Sequence, residues 1–454
     1  MTTTTVALRY SLPNEQVSRR YPEYPQEDVH EPHSSLSGFH SSHRRGVTLA
    51  RSGRLRERVP RSDCRCESVD KADDQVVVQV TDFVADAAIL VDRFGIVHHP
   101  LVMDPNLVNP WGTAESPTSP IWVSDNARGV STLYNIGGSS PVSIAPLVVS
   151  VPAPGDPLNT SGAPTGAVFN TSAAAQQFKI AGVDRNGVAA SAAALFMFAT
   201  EDGTIVGWNP GINPPGFDPN RAGTYGIVAV DNSAKPTVAD GAVYKGLAIA
   251  TDTAGATFLY ATNFRAGTVE VYDASFHRVP LPASAFTDRH LPHGYAPFNI
   301  VLTGGKLFVT YAKQDRAKHD DVPGHGHGIV NTFDLSGHML ARFAEHGHLD
   351  SPWGLVQAPA SFGQFAGAVL IGNFGNGRIH AFDSSTGKFL GPVVNSVGQK
   401  ILIDGLWSLS VGNGKAGGGA NAVIFTAGPN GEKDGLLGSL VPVALGTPCG
   451  IPCR

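Results

Sequence analysis

The sequence predicts an all-β, six-bladed β-propeller. Three observations carry this reading: a triplet repeated six times, strand-like runs of similar order in each repeat, and an abundance of turn residues. The triplets are Pro110-Trp111-Gly112, Pro164-Thr165-Gly166, Tyr244-Lys245-Gly246, Pro297-Phe298-Asn299, Pro352-Trp353-Gly354 and Leu406-Trp407-Ser408. Their middle residues lie 54, 80, 53, 55 and 54 positions apart, so one period dominates and the longest gap reads as that period plus an insertion. A fixed period of about fifty residues marks a repeat architecture, in which each unit has an apolar face that only its neighbours cover.

The repeats justify their strands in order. The first gives NPWGTA, PIWVSDN and VSTLYN; the second gives APTGAVFN, ALFMFATE and TIVGWNP. The third reads YKGLAIAT, TFLYATNF and TVEVYD, and the fourth APFNIVL, KLFVTYAK and, after a long polar loop, GIVNTFDLSG. The fifth is the clearest, with SPWGLVQAP, GAVLIGNF and RIHAFD. Apolar or alternating runs punctuated by Gly, Asn and Asp are antiparallel strands joined by tight turns. The sixth has DGLWSLSVGN and NAVIFTAGPN but only a weak third run in GLLGSLVPV. Propellers often close their ring with a strand from the other terminus, and the run Gln75–Ala85 is the expected donor.

Composition agrees. With 52 glycines and 33 prolines among 454 residues the chain is too punctuated for a helical protein, and at 42% hydrophobic it can bury a sizeable core. A net charge of -5 gives no general attraction for nucleic acid, and no run of about eighteen apolar residues predicts a membrane-spanning helix. Residues 1–74 form a separate regime. The eleven arginines and nine acidic residues of 1–72, with few aliphatic runs, predict a disordered basic extension. It lacks the apolar core of a signal peptide. The propeller is expected over 75–445, followed by a Cys-containing tail at 446–454. Cys64 and Cys66 precede the ring and Cys449 and Cys453 follow it, which leaves free thiols, disulfides or a thiolate metal site open.

The stretches DPNLVNPWG, GAPTGAVFN, ATEDGTIVGWNP, ATNFRAGTVEVYD, KHDDVPG, IGNFGNGRIHAFD and IDGLWSL together resemble an uncharacterised bacterial family of NHL-like six-bladed propellers. The resemblance spans roughly residues 76–443. It implies kinship with exported proteins, extracellular or periplasmic, some of which carry PEP-CTERM sorting signals. It implies no particular activity.

Propellers place function at the mouth of the central tunnel and on the loops above it. The first candidate set is therefore the ring of triplet residues Trp111, Thr165, Lys245, Phe298, Asn299, Trp353 and Trp407. The aromatics serve either inter-blade packing or a ligand platform. Lys245 near the axis needs a partner, either an anionic ligand or a carboxylate such as Asp404. The second set is Asp315, His319, Asp320 and Asp321 in the loop of the fourth repeat, followed by His325 and His327. Oxygen donors suit calcium and imidazoles suit zinc, so these are the ions considered, although no EF-hand or H-E-x-x-H spacing is present. Third, the turn after the second strand carries Asp125-Asn126, Glu201-Asp202, Asn263-Phe264-Arg265, Asn373-Phe374 and Asn430. Turn chemistry explains most of these, but Glu201 is a poor turn former and joins the metal-ligand candidates. Two functions follow: a propeller that binds a small ligand or protein, or a metal-dependent hydrolase or lyase with an axial cation, as in lactonases.

Overall fold

The computed structural model describes residues 77–137 and 141–443. The expected N-terminal extension at 1–74, the four cysteines and the Cys-containing tail at 446–454 lie outside the described residues. Six sheets form around one axis, and each triplet opens, or lies within, the innermost strand of its blade. Those strands are Pro110–Ala114 of blade I, Pro164–Phe169 of II, Tyr244–Thr251 of III, Tyr295–Thr303 of IV, Pro352–Gln357 of V and Leu406–Val411 of VI. Each touches the next, and blade VI touches blade I, so the ring is closed.

The third triplet residue is glycine in four of the six blades, for a reason visible at these seams. A Cβ on Gly166 would stand 2.5 Å from the Leu247 backbone nitrogen, and one on Gly354 2.6 Å from the Trp407 carbonyl oxygen. Neighbouring innermost strands approach too closely for a side chain there. Hydroxyls and amides then clamp blade to blade. Thr165 Oγ1 donates to the Tyr244 carbonyl at 2.9 Å, Asn299 Nδ2 to the Trp353 carbonyl at 2.8 Å, and Thr426 Oγ1 to the Trp111 carbonyl at 2.6 Å.

Blade VI carries the closure. Its strands Leu406–Val411, Val423–Ala427 and Leu436–Val443 are completed by Val77–Ala85, which pairs antiparallel with the last of them. The expected donor strand is thus the one used, and the weak run GLLGSLVPV is its partner. Both ends of the described chain are held in one sheet. The core divides the same way: six apolar clusters each fill one seam between adjacent blades. A seventh lies on the axis. Because both faces of a blade meet a neighbour, strands such as Val369–Asn373 are buried at every residue, which is why they read as continuous apolar runs rather than alternations.

Two features depart from the repeat. Blade II carries an additional hairpin, Lys179–Val183 with Ala189–Ala193, which accounts for part of the long gap between Thr165 and Lys245. Blade III has only three strands, because the segment that would supply the fourth holds Pro280 and Pro282, which lack the N–H a ladder requires. Among the described residues no helix is long and apolar enough to cross a membrane.

Candidate functional site at the propeller axis

In an antiparallel blade the start of the innermost strand lies beside the end of the second. The register pairs Pro110 with Asp125, Pro164 with Thr200, Tyr244 with Asn263, Tyr295 with Lys313, Pro352 with Asn373 and Leu406 with Ala427. The triplets and the turns between second and third strands therefore share one end of the axis. Those turns supply Asn126, Glu201, Phe264, the His319-Asp320-Asp321 loop, Phe374 and Glu432, from all six blades.

Aromatic rings form the floor. Trp111 stacks on Trp407 with centroids 3.5 Å apart and meets Trp353 edge-on at 5.8 Å, while Phe374 stacks on the other side of Trp407 at 3.8 Å. Phe298 and Phe264 complete the cluster, and the ring plugs the tunnel. The triplet aromatics are packing residues first.

Lys245 lies on this floor. It is 1% exposed, and a lysine so buried must be compensated. Its Nζ pairs with Glu201 Oε1, lies 3.4 Å from Asp320 Oδ1 and sits 4.9 Å from the centroid of the Trp111 ring. The partner is not Asp404, as the sequence suggested. The hairpin Leu90–Val91/Val97–His98 brings Arg93 against blade VI, and Asp404 pairs with that guanidinium at 2.7 Å while accepting the Asn430 N–H at 2.8 Å.

From Lys245 a polar belt runs in both directions. Glu201 Oε2 accepts from Asn126 Nδ2 at 3.0 Å, Asn126 Oδ1 accepts from Asn109 Nδ2 at 3.2 Å, and Asn109 Nδ2 also reaches Glu432 Oε2 at 2.7 Å. Asn109 Oδ1 accepts the Trp407 indole N–H at 2.9 Å, which ties the belt to the floor. On the other side Asp320 Oδ1 lies 2.8 Å from His319 Nδ1. The belt thus crosses five of the six blades, I, II, III, IV and VI. Glu432 reaches it from a left-handed turn, with φ of 57° at Asn430, 67° at Gly431 and 67° at Glu432. Glutamate in this region costs about 1–3 kcal/mol, and such strain gathers at functional sites.

The charges are coupled. Burial raises the Glu201 pKa, but the Lys245 ammonium and the His319 imidazole together outweigh it and hold the carboxyl below its usual value. Burial likewise opposes the charge on Lys245, and Glu201 and Asp320 overcome it, so the lysine stays protonated. Burial and the Glu201 carboxylate push Glu432 up. Burial pushes Asp321 up to about 7.

Of the five residues expected to ligate a metal, three converge: ligand atoms of Glu201, His319 and Asp320 all lie within 4.8 Å of one another. Asp315 stands outside this group and organises the loop, its Oδ1 accepting the His319 N–H at 2.9 Å. Asp321 also stands outside, its Oδ2 buried. Thr165 and Asn299 are spent on the blade seams described above. Asn109 and Glu432 were not among the expected residues, while Asn126 and Phe264 stood in the turn set but were assigned to turn chemistry. Asn126 and Phe264 share the turn position of Glu201, which is the signal that could have found them; Asn109 and Glu432 carry no such mark.

The chain is 30% identical over 341 residues to uncharacterised protein R648 of Acanthamoeba polyphaga mimivirus, covering 74% of this chain and 76% of that protein. It belongs to the same family. Uncharacterised protein L690 of the same virus is 30% identical over 347 residues, covering 74% of this chain and 81% of L690. These relatives are viral, where the motif resemblance pointed to bacteria. No protein-family model matches the chain. Among solved structures, the soluble aldose sugar dehydrogenase of Escherichia coli in its apo form is similar at 12% identity, with a TM-score of 0.45, over 81% of this chain and 100% of that one. The PQQ-bound aldose sugar dehydrogenase of Streptomyces coelicolor is similar at 14% identity and a TM-score of 0.44, over 82% and 99%. At this distance neither likeness bears on the chemistry of the axial site.

Proposed function

We propose that this protein is a binding propeller whose axial mouth accepts a small ligand carrying a positively charged group. One observation supports this above the others. Glu201 and Asp320 flank a single lysine on an aromatic floor, so two carboxylates face one ammonium at the mouth. The Asp320 side chain is 44% exposed. A ligand cation at the exposed edge of Asp320 would meet its carboxylate with the His319 imidazole beside it, a charge-assisted setting for an ammonium group.

A second reading is a metal-dependent hydrolase or lyase, favoured by the convergence of Glu201, His319 and Asp320. Two carboxylates and an imidazole are a fitting donor set for a divalent ion. Lys245 is the counter-argument, because its ammonium already occupies the space between the two carboxylates of this set. With an ion bound, that ion would supply a Lewis acid for a carbonyl or for water. Lys245 would hold Glu201 ionised, and Asp320 would orient His319 through Nδ1.

Elemental mass spectrometry of the protein, purified without chelator or affinity histidines, separates the two. Near-stoichiometric calcium or zinc favours the metalloenzyme and warrants a lactone and ester screen. A folded, metal-free protein favours the binding propeller.

A further inference from the structure

Below the aromatic plug, the innermost strands of all six blades enclose a cavity of about 410 Å³. Its lining begins at the third triplet residues and continues along those strands, so it opens at the end of the axis opposite the polar belt. Trp353 lines it from the plug side. The two ends of the axis are separate sites, and the volume lies within the range of small-molecule pockets.

The walls are two-sided. Ile249, Val301 and Val356 line the cavity from blades III, IV and V; Thr113, Ser408 and Ser410 line it from blades I and VI. Thr113 Oγ1 donates to Ser410 Oγ at 3.2 Å and lies 2.9 Å from Ser408 Oγ. A threonine has one hydroxyl proton, so Ser408 is the donor to Thr113, and the chain of hydroxyls ends at Ser410 with its own proton unspent. Among the described residues that proton finds no acceptor. The indole N–H of Trp353, 3% exposed, is buried without a partner as well. The one ionisable side chain on the lining is Glu115. Burial pushes its carboxyl up to about 8, so at neutral pH the walls carry little fixed charge.

We propose that this cavity is a second binding site, for a neutral amphiphile of the aliphatic alcohol class. Its apolar body packs on Ile249, Val301 and Val356, and its oxygen accepts the proton of Ser410. Anionic amphiphiles of equal length are rejected, because the cavity has no cation to meet them. This inference stands apart from the polar mouth and does not depend on it.

The test is calorimetric titration of the full chain with decanol and, separately, with decanoate. The expected result is saturable binding of one decanol per chain, with decanoate weaker by at least about tenfold. Val301→Trp, which fills the cavity, abolishes decanol binding, and Ser410→Ala weakens it by about fivefold. Absence of saturable decanol binding, equal affinity for decanoate, or binding that survives Val301→Trp each overturns the proposal. Should Val301→Trp fail to fold, Ser410→Ala and the comparison of alcohol with carboxylate decide the question.

Discussion

The Lys245 ammonium, from the innermost strand of blade III, and the Glu201 carboxylate, from the turn between the second and third strands of blade II, form an ion pair on the propeller axis. The pair joins two blades, rests on Trp111 and sets the charge of everything around it.

Removing one member should therefore cost more than a surface ion pair would. Lys245→Met leaves Glu201 buried beside Asp320 and Glu432 without a counter-charge, and is expected to destabilise by roughly 3–5 kcal/mol. Glu201→Gln added to Lys245→Met should restore part of that loss, because the orphaned charge is gone. Urea unfolding of the wild type, both single variants and the double variant gives the coupling energy directly.

Asp321 makes a pH-dependent contribution of unusual sign. Its folded pKa is raised from 3.8 to about 7 by burial, so between these values the folded state binds more protons than the unfolded one. The associated stability is fully present below the lower value and is lost as pH rises through the upper one. Asp321→Asn should consequently be more stable than the wild type at about pH 8 and gain nothing at about pH 4. Unfolding midpoints measured in acetate and in Tris buffers check this.

The glycine seam predicts a steric defect. Gly354→Ala places a methyl group 2.6 Å from the Trp407 carbonyl oxygen, and the backbones of blades V and VI must separate to admit it. The expected loss is about 1–3 kcal/mol. Gly255→Ala serves as a control for space, since nothing stands near its Cβ, although its positive φ adds a backbone cost. The thermal midpoint of each variant measures the difference.

Ring closure predicts a remote effect of the N-terminal strand. Val84 is fully buried between blade VI and blade I. Val84→Asp buries an unpaired carboxylate there, and is expected to destabilise by at least about 3 kcal/mol and to lower the yield of folded protein. Circular dichroism melts and solubility on expression report it.

Much of the fold was legible because the propeller writes one instruction six times. Trp111, Lys245, Phe298, Trp353 and Trp407 stand at equivalent places, and a period that survives such variation reflects the geometry of one blade seam. The added hairpin of blade II was not legible. Its strands KIAGV and AASAA are rich in alanine and glycine, which are depleted in strands, and only their pairing makes them β structure. Part of the site was legible for a similar reason, since Glu201 stood out as a poor turn residue in a row of turn formers. Asp404 misled because nearness to a triplet does not reveal what packs on it, and Arg93 arrives from a hairpin outside the repeat. Glu432 was hidden, because a left-handed glutamate after Asn430-Gly431 leaves no trace in periodicity.

The measurement that tests the central claim most directly is calorimetric titration of the full chain with divalent ions and with small ammonium compounds such as choline and spermidine. Wild type is compared with Asp320→Asn and with Glu201→Gln, after melts have shown each to be folded. The account predicts that at least one of the ammonium compounds binds saturably at one per chain, that Asp320→Asn weakens it by at least about tenfold, and that the divalent ions do not bind in its place. Absence of saturable binding by the ammonium compounds, or an affinity untouched by both substitutions, would contradict it.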